Sequence, residues 1–203
     1  MLKTYLEGIN ARGVVLASGS VGRKNMCSLI GLKFDVLVSG FPEDRDWREF
    51  PNPEEYALFN AREKLKAVSS DKVLITADTV VSLDGEVFEK PKDRDDLIRM
   101  MKSFSGKTHI IMTAVIVKGI LTQHFIDKTF VTMDDLTDQA IENLADSPEE
   151  WEGHAGGYSI DGSLGPTIFK SISGNFHNVI GISLFELSKL LINEHLEYLK
   201  TQP

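Results

Sequence analysis

Between Val73 and Val81 the chain reads Val-Leu-Ile-Thr-Ala-Asp-Thr-Val-Val, almost continuously apolar and broken by one charge, Asp78. Successive side chains of a strand point to opposite faces, so a run that is apolar at both parities has to be covered on both sides. A chain carrying such a strand needs helices on each face of its sheet.

The flanking sequence supplies them. Val14–Ala17 is a short apolar run that breaks into Ser18-Gly19-Ser20 and enters a helical pattern, with Met26, Leu29 and Ile30 on one face and Gly31 as its stop. Phe34–Val38 reads as a second strand. Asn52-Pro53-Glu54-Glu55 combines a cap, a proline at the first helical position and an acid in the first turn, ahead of a stripe of Leu58, Ala61, Leu65 and Val68. Asp93 opens a helix carrying Leu97, Met100, Met101 and Phe104, and Gly106 closes it. Asp84-Gly85 is a hairpin turn, and His109–Val117 with Phe125–Met133 reads as a longer hairpin joined through Lys118-Gly119. Thr137–Leu144 is a short helix. Ser183 and Glu186 form a capping box for a last helix with Leu184, Leu187, Leu190 and Leu191 inward. Interleaved strands and helices with at least two hairpins predict an α/β protein of mixed α+β character, with a mixed twisted sheet and helices on both faces.

One domain over residues 1–203 is expected, since no repeat, low-complexity tract or Pro/Gly/Ser linker interrupts the chain; the one candidate hinge is the polar stretch Asp146–Gly157. A net charge of −8 leaves no broad basic face for duplex nucleic acid, though a small phosphate site needs only a few focused cations. No stretch is long and apolar enough to span a bilayer, and Met1–Asn10 lacks the core of a signal peptide. The single cysteine, Cys27, excludes an internal disulfide and sits in a helical pattern as a packing residue, so a reducing, cytoplasmic setting is expected.

Several residues could carry chemistry. The strand–turn–helix at Ser18-Gly19-Ser20 presents free backbone N–H groups at the positive end of a helix, with Arg23 in the first turn able to grip phosphate oxygens; a plain cap with a solvated Arg23-Lys24 pair fits the same residues. Asp78 is costly to bury unless it binds a metal, is paired or is well hydrogen-bonded, so it reads as a magnesium ligand, a general base or a cap. Lys90 precedes Pro91 and is held extended, and Lys64 lies at the edge of its helix stripe; either suits phosphate or open solvent. Glu43-Asp44, in a loop with Pro42, can ligate a cation or be merely solvated.

Taken in order, Leu16-Ala-Ser-Gly-Ser with Arg23, Phe34-Asp35-Val36 with Glu43, Ala61-Arg-Glu-Lys64, Ala77-Asp-Thr-Val-Val81, Gly85-Glu-Val with Glu89-Lys-Pro91, Ser105-Gly-Lys-Thr-His109 with Met112-Thr-Ala-Val115, Gly153-His-Ala-Gly-Gly-Tyr-Ser-Ile160 and Gly174-Asn-Phe-His-Asn-Val-Ile-Gly181 resemble the motifs of the Maf family of nucleoside-triphosphate pyrophosphatases, from about residue 13 to residue 192. The resemblance implies a fold like that of inosine-triphosphate pyrophosphatases, two lobes around a cleft, a homodimer, and hydrolysis of a nucleoside triphosphate to monophosphate and pyrophosphate with Mg²⁺ or Mn²⁺. It implies Asp78 as catalytic acid/base and metal-linked carboxylate, Glu43 as a second acid at the metal, Ser18, Arg23, Lys64 and Lys90 on the triphosphate, and Thr79 near base and sugar.

The chain departs from the family pattern at three places. Ser-Pro-Arg-Arg becomes Ser20-Val21-Gly22-Arg23, Lys-Ala-Gly becomes His154-Ala155-Gly156, and Tyr-Gly-Ile-Gln becomes Tyr158-Ser159-Ile160-Asp161. The resemblance implies that Gly22, Thr79 and Asp161, standing where pyrimidine-preferring members place an arginine, a threonine and a glutamine, bear on base choice. The resemblance implies dTTP or UTP as substrates, with modified nucleotides in addition. A 7-methyl-GTP or broader purine-tolerant pyrophosphatase, and a catalytically weak nucleotide-binding regulator of cell division, are the alternatives.

Overall fold

The structure, a computed structural model, describes residues 1–202. In chain order the elements are α1 (Leu2–Arg12), β1 (Val14–Leu16), α2 (Val21–Leu29), β2 (Asp35–Val36), α3 (Pro53–Lys66), β3 (Val73–Leu83), β4 (Glu86–Phe88), α4 (Arg94–Phe104), β5 (Thr108–Lys118), β6 (Thr122–Met133), α5 (Asp138–Ala145), α6 (Pro148–Trp151), α7 (Gly165–Ile168), β7 (Phe169–Ser173), α8 (Phe176–Ile180) and α9 (Leu184–Lys200). No helix among the described residues is long and apolar enough to cross a membrane.

The strands form one mixed sheet in the order β2-β1-β3-β5-β6-β7, with β4 also on β3. β1 runs parallel to β2 and β3, while the β3–β5, β5–β6 and β6–β7 pairs are antiparallel. One edge of β3 is taken by β5 from Leu74 to Ser82. Its other edge pairs with β1 at Val73–Ile75 and with β4 at Val81–Leu83. Between those pairings, from Thr76 to Val80, that edge is open, and the sheet splits there.

β3 is buried almost throughout, as its two-faced apolar run requires. On one face α3 packs Tyr56, Ala57 and Ala61 against Val80, Met112, Ala114 and Ile116. On the other face two separate clusters form. α1, α2 and α9 pack Ile9, Cys27, Leu187 and Leu191 against Leu16, Ile75 and Val115, whereas α4 and α5 pack Leu97, Met101, Phe104 and Leu144 against Val81, Ile111 and Met133. Each fully buried Leu, Met or Phe contributes on the order of 1.5–3 kcal/mol. The two clusters give two lobes, and the split in the sheet lies between them.

The helix starts follow the local signals. Asn52 Oδ1 accepts from Glu55 N at 2.9 Å, Asp93 Oδ1 from Asp96 N at 2.9 Å and Thr137 Oγ1 from Ala140 N at 3.2 Å. The expected capping box at Ser183 does not form. Its buried hydroxyl accepts instead from Asn175 Nδ2 at 2.6 Å, which ties α8 to the start of α9. The second strand is shorter than Phe34–Val38, since only β2 pairs and its residues are exposed. In α2 the buried face is Arg23 and Cys27, and Leu29 is 67% exposed. Burial pushes the Cys27 thiol up to about 12, so it packs as an inert apolar group. The polar stretch expected as a hinge contains α6, whose Glu150 and Trp151 are buried and whose Glu150 carboxylate accepts from Ser163 N at 2.9 Å and Leu164 N at 3.2 Å.

Candidate active site

At the split, a cleft of about 440 Å³ is bounded by the Ser18–Ser20 turn, Val38–Phe41, Asp78 and Thr79, Lys90, His154 and Ala155, and Val179–Gly181. β3 runs through it, and its alternation sends neighbouring residues to opposite faces. Asp78 points to the face covered by α3, and Thr79 to the face covered by α2 and α8.

On the α3 side Asn60 and Lys64, four residues apart, share one stripe of the helix and both reach Asp78. Lys64 Nζ donates to Asp78 Oδ1 at 2.6 Å, and Asn60 Nδ2 donates to Asp78 Oδ2 at 3.1 Å. The same ammonium lies 2.9 Å from Glu43 Oε1, which the loop after β2 brings across. Asp78 and Lys64 are 4% and 8% exposed, so the Asp78 carboxylate depends on Lys64 for its charge, whereas Lys64 has Glu43 as a second partner. Burial pushes the Glu43 carboxyl up, but Lys64, Lys90 and Arg23 outweigh it and hold it below the ordinary carboxylate range. Lys90 Nζ is 4.0 Å from Glu43 Oε2 and largely exposed on the cleft rim. Beyond it Tyr56 OH donates to Glu89 Oε1 at 2.7 Å.

On the other side Arg23 is nearly buried and spread over three acceptors. Nε donates to Gly181 O at 2.9 Å, Nη1 to Ser18 Oγ at 3.3 Å and Nη2 to Thr79 Oγ1 at 2.8 Å. A guanidinium has five N–H groups, so one on each terminal nitrogen is left for a ligand. Burial pulls Arg23 down from its ordinary value, opposed by Asp78 and Glu43, and the group stays cationic. Gly181 has a φ of 121°, open to glycine, and a Cβ there would lie 3.4 Å from Arg23 Nε; the missing side chain lets its carbonyl meet the guanidinium. Thr79 faces Thr113 across the β3–β5 pairing, with their hydroxyls 2.9 Å apart.

The structure thus gathers Ser18, Arg23, Glu43, Lys64, Asp78, Thr79 and Lys90 around one cleft. It does not bring Gly22 or Asp161 to the cleft wall. A Cβ at Gly22 would lie 2.9 Å from Ile180 O, so α2 and α8 meet there with no room for a larger residue as they stand. Asp161 is exposed, and its Oδ1 accepts from Ser159 Oγ at 2.5 Å within the loop. Sequence reasoning missed Asn60, Thr113 and Asn178. The signal for Asn60 and Thr113 was a polar residue on an otherwise apolar stripe, Asn60 between Leu58 and Ala61 and Thr113 between Met112 and Ala114.

The donor chemistry suits a hard cation. Two carboxylates, Asp78 and Glu43, already share one positive group, the Lys64 ammonium, and Mg²⁺ is commonly held by one or two carboxylates together with substrate phosphates. No group of three or more His, Cys, Asp or Glu side chains able to hold a metal exists among the described residues. A metal here would have to complete its shell with phosphate and water.

Comparison with known proteins places the chain. The dTTP/UTP pyrophosphatase of Escherichia coli strain K12 is 38% identical over 185 residues, covering 88% of this chain and 91% of that protein. A nucleoside triphosphate pyrophosphatase of Shigella flexneri is 37% identical with the same coverage. A solved structure of a nucleoside-triphosphatase / dITP/XTP pyrophosphatase from Mycobacterium abscessus aligns over 94% of this chain and 100% of that one at 10% identity and a TM-score of 0.39, too slight a likeness to build on. Residues 13–194 match the family described as Maf-like protein, a span that includes every residue gathered at the cleft, and the chain belongs to that family.

Proposed function

We propose that this protein is a nucleoside-triphosphate pyrophosphatase that hydrolyses dTTP and UTP to the monophosphate and pyrophosphate. The observation that carries the reading is the pairing, across one cleft, of a buried Lys64–Asp78 pair, joined by the exposed Glu43, with an Arg23 fork that keeps two N–H groups free. A triphosphate brings about four negative charges, which Arg23, Lys64 and Lys90 are suited to meet. The dTTP/UTP activity named for relatives at 38% identity, and Thr79 on the cleft wall, support uracil and thymine as the bases.

In this mechanism Arg23 and the Ser18–Ser20 turn hold one end of the phosphate chain, and Lys90 closes on it from the rim. Asp78 takes a proton from a water that attacks the α-phosphorus. The α–β bridge bond breaks, and its electron pair leaves with pyrophosphate while Lys64 balances the charge that develops. Asp78 and Glu43 would hold Mg²⁺ or Mn²⁺, which supplies charge neutralisation on the phosphates. Lys64 would then shift from the carboxylates towards phosphate oxygen. A homodimer acting in the cytoplasm completes the proposal, supported by the family resemblance and by a single, buried, inert Cys27.

The test is a panel of nucleoside triphosphates incubated with Mg²⁺ or Mn²⁺, with products separated as nucleotide, phosphate and pyrophosphate. Monophosphate and pyrophosphate in equal amounts, fastest from dTTP and UTP, are expected. Orthophosphate with diphosphate, or no turnover of any triphosphate, would overturn the reading.

A further inference from the structure

Thr113 is completely buried in the middle of β5, where Ile111, Met112, Ala114, Val115, Ile116 and Val117 are also buried and all apolar. A valine has the same shape and would bury more cheaply, because a hydroxyl taken from water has to find partners or cost on the order of 1–3 kcal/mol. The partners show what the hydroxyl does. Thr113 Oγ1 lies 3.4 Å from Asn178 O and 2.9 Å from Thr79 Oγ1. A carbonyl oxygen only accepts, so Thr113 gives it its one hydrogen and must accept from Thr79. Thr79 Oγ1 in turn lies 2.8 Å from Arg23 Nη2, and a guanidinium only donates. The carbonyl end therefore sets the direction, and the Arg23 end agrees with it: Arg23 donates to Thr79, Thr79 to Thr113, and Thr113 to the Asn178 carbonyl.

That carbonyl is itself fixed. Asn178 is completely buried in α8, and its Nδ2 donates to Ile111 O at 3.1 Å and to Thr129 Oγ1 at 3.1 Å, bolting the short helix to β5 and β6. Three residues further on, Gly181 O accepts from Arg23 Nε. Two of the three acceptors that orient Arg23 thus depend on α8 being held against the sheet, one directly and one through two hydroxyls.

We infer that Thr113 is a positioning residue for the phosphate site: it locks the Thr79 hydroxyl as an acceptor so that the Arg23 guanidinium keeps one orientation and its two free N–H groups face the triphosphate. The inference rests on the proposed phosphate role of Arg23 and deepens it. Without the Thr113 oxygen the Thr79 hydroxyl loses its acceptor, its hydrogen is free to turn towards Arg23, and the guanidinium is held at two points in place of three.

The test measures binding, by titration calorimetry, of inorganic tripolyphosphate with Mg²⁺ to the folded protein, the Thr113→Val and Arg23→Ala variants and the double variant. Thr113→Val is expected to weaken binding about tenfold, with Thr113→Ser restoring it to within about twofold, and the value is expected to be no weaker in Arg23→Ala/Thr113→Val than in Arg23→Ala alone. Thr113→Ala, read in the same cycle, replaces Thr113→Val if that variant does not fold. Parent-like binding by Thr113→Val, failure of Thr113→Ser to rescue, or a loss that persists in the Arg23→Ala background would overturn the inference. Because the probe is not a nucleotide and is not required to react, these outcomes are separate from the failure of the proposed activity, which would appear as a parent protein that releases no pyrophosphate.

Discussion

Replacing Asp78 by asparagine separates catalysis from stability at this site. The carboxylate is 4% exposed, with Oδ1 bound by Lys64 and Oδ2 by Asn60. Removing a charge from a buried pair usually costs about 3–5 kcal/mol, because the partner is stranded. Here it is not stranded, since Lys64 keeps Glu43 at 2.9 Å. The new amide can keep its oxygen on Lys64 and turn its NH₂ towards Asn60. Asn60 Oδ1 is buried and has no partner, so a flip of that side chain supplies the missing acceptor. The expected loss of stability is therefore only about 1 kcal/mol, near the net worth of one hydrogen bond. For a chain of this size that lowers Tm by roughly 2–4 °C. Turnover should fall far more, by about 10²–10⁴-fold, because an amide takes no proton from water. Calorimetric melting and pyrophosphate release at saturating Mg²⁺ and substrate measure the two effects on the same preparation. Turnover within tenfold of the parent would remove Asp78 from the proton transfer. A Tm loss above roughly 10 °C would show that Glu43 and Asn60 do not compensate as the geometry requires.

The remaining predictions follow from the same contacts. Lys90→Ala, at a largely exposed rim position, should raise KM about tenfold for every triphosphate with no change in Tm, because phosphate carries no base identity; a preference shift between UTP and GTP would contradict it. Burial pushes His109 down to about 4, so the unfolded chain binds a proton between roughly pH 6.5 and 4 that the folded one excludes. Stability should fall as pH drops through that window, by about 3.5 kcal/mol at 1.4 kcal/mol per unit. Denaturant melts of His109→Gln should lack this component, and an identical pH slope in both proteins would refute it. Asp161→Gln should leave the ranking of dTTP, UTP and GTP unchanged within about threefold, because the side chain is exposed and bound by Ser159. A shift of tenfold or more would show that the loop turns Asp161 to the base.

What the sequence determined by itself was the part governed by short-range rules. The two-faced run at Val73–Val81 required a covered strand, Asn52 and Asp93 marked helix starts that the structure caps as expected, Thr137–Leu144 read as a helix, and Lys118-Gly119 turned the long hairpin. Ordered motifs then marked the cleft residues from Ser18 to Lys90. The N-terminal helix, β7 and the short helices α6 to α8 were not legible, because each is too short or too weakly patterned to stand without its tertiary partner, as α8 shows in leaning on Asn178. Ser183 looked like a capping residue until Asn175 claimed its hydroxyl. Only the tertiary structure decided which polar groups meet: that Lys64 serves Asp78 and Glu43 at once, that Asn60 holds the other oxygen of Asp78, and that Arg23 is aimed through Thr79 and Thr113. These contacts join segments 14 to 56 residues apart. Their direction is set by which donors have a hydrogen left after the fold has closed, and that count does not exist until the strands have paired.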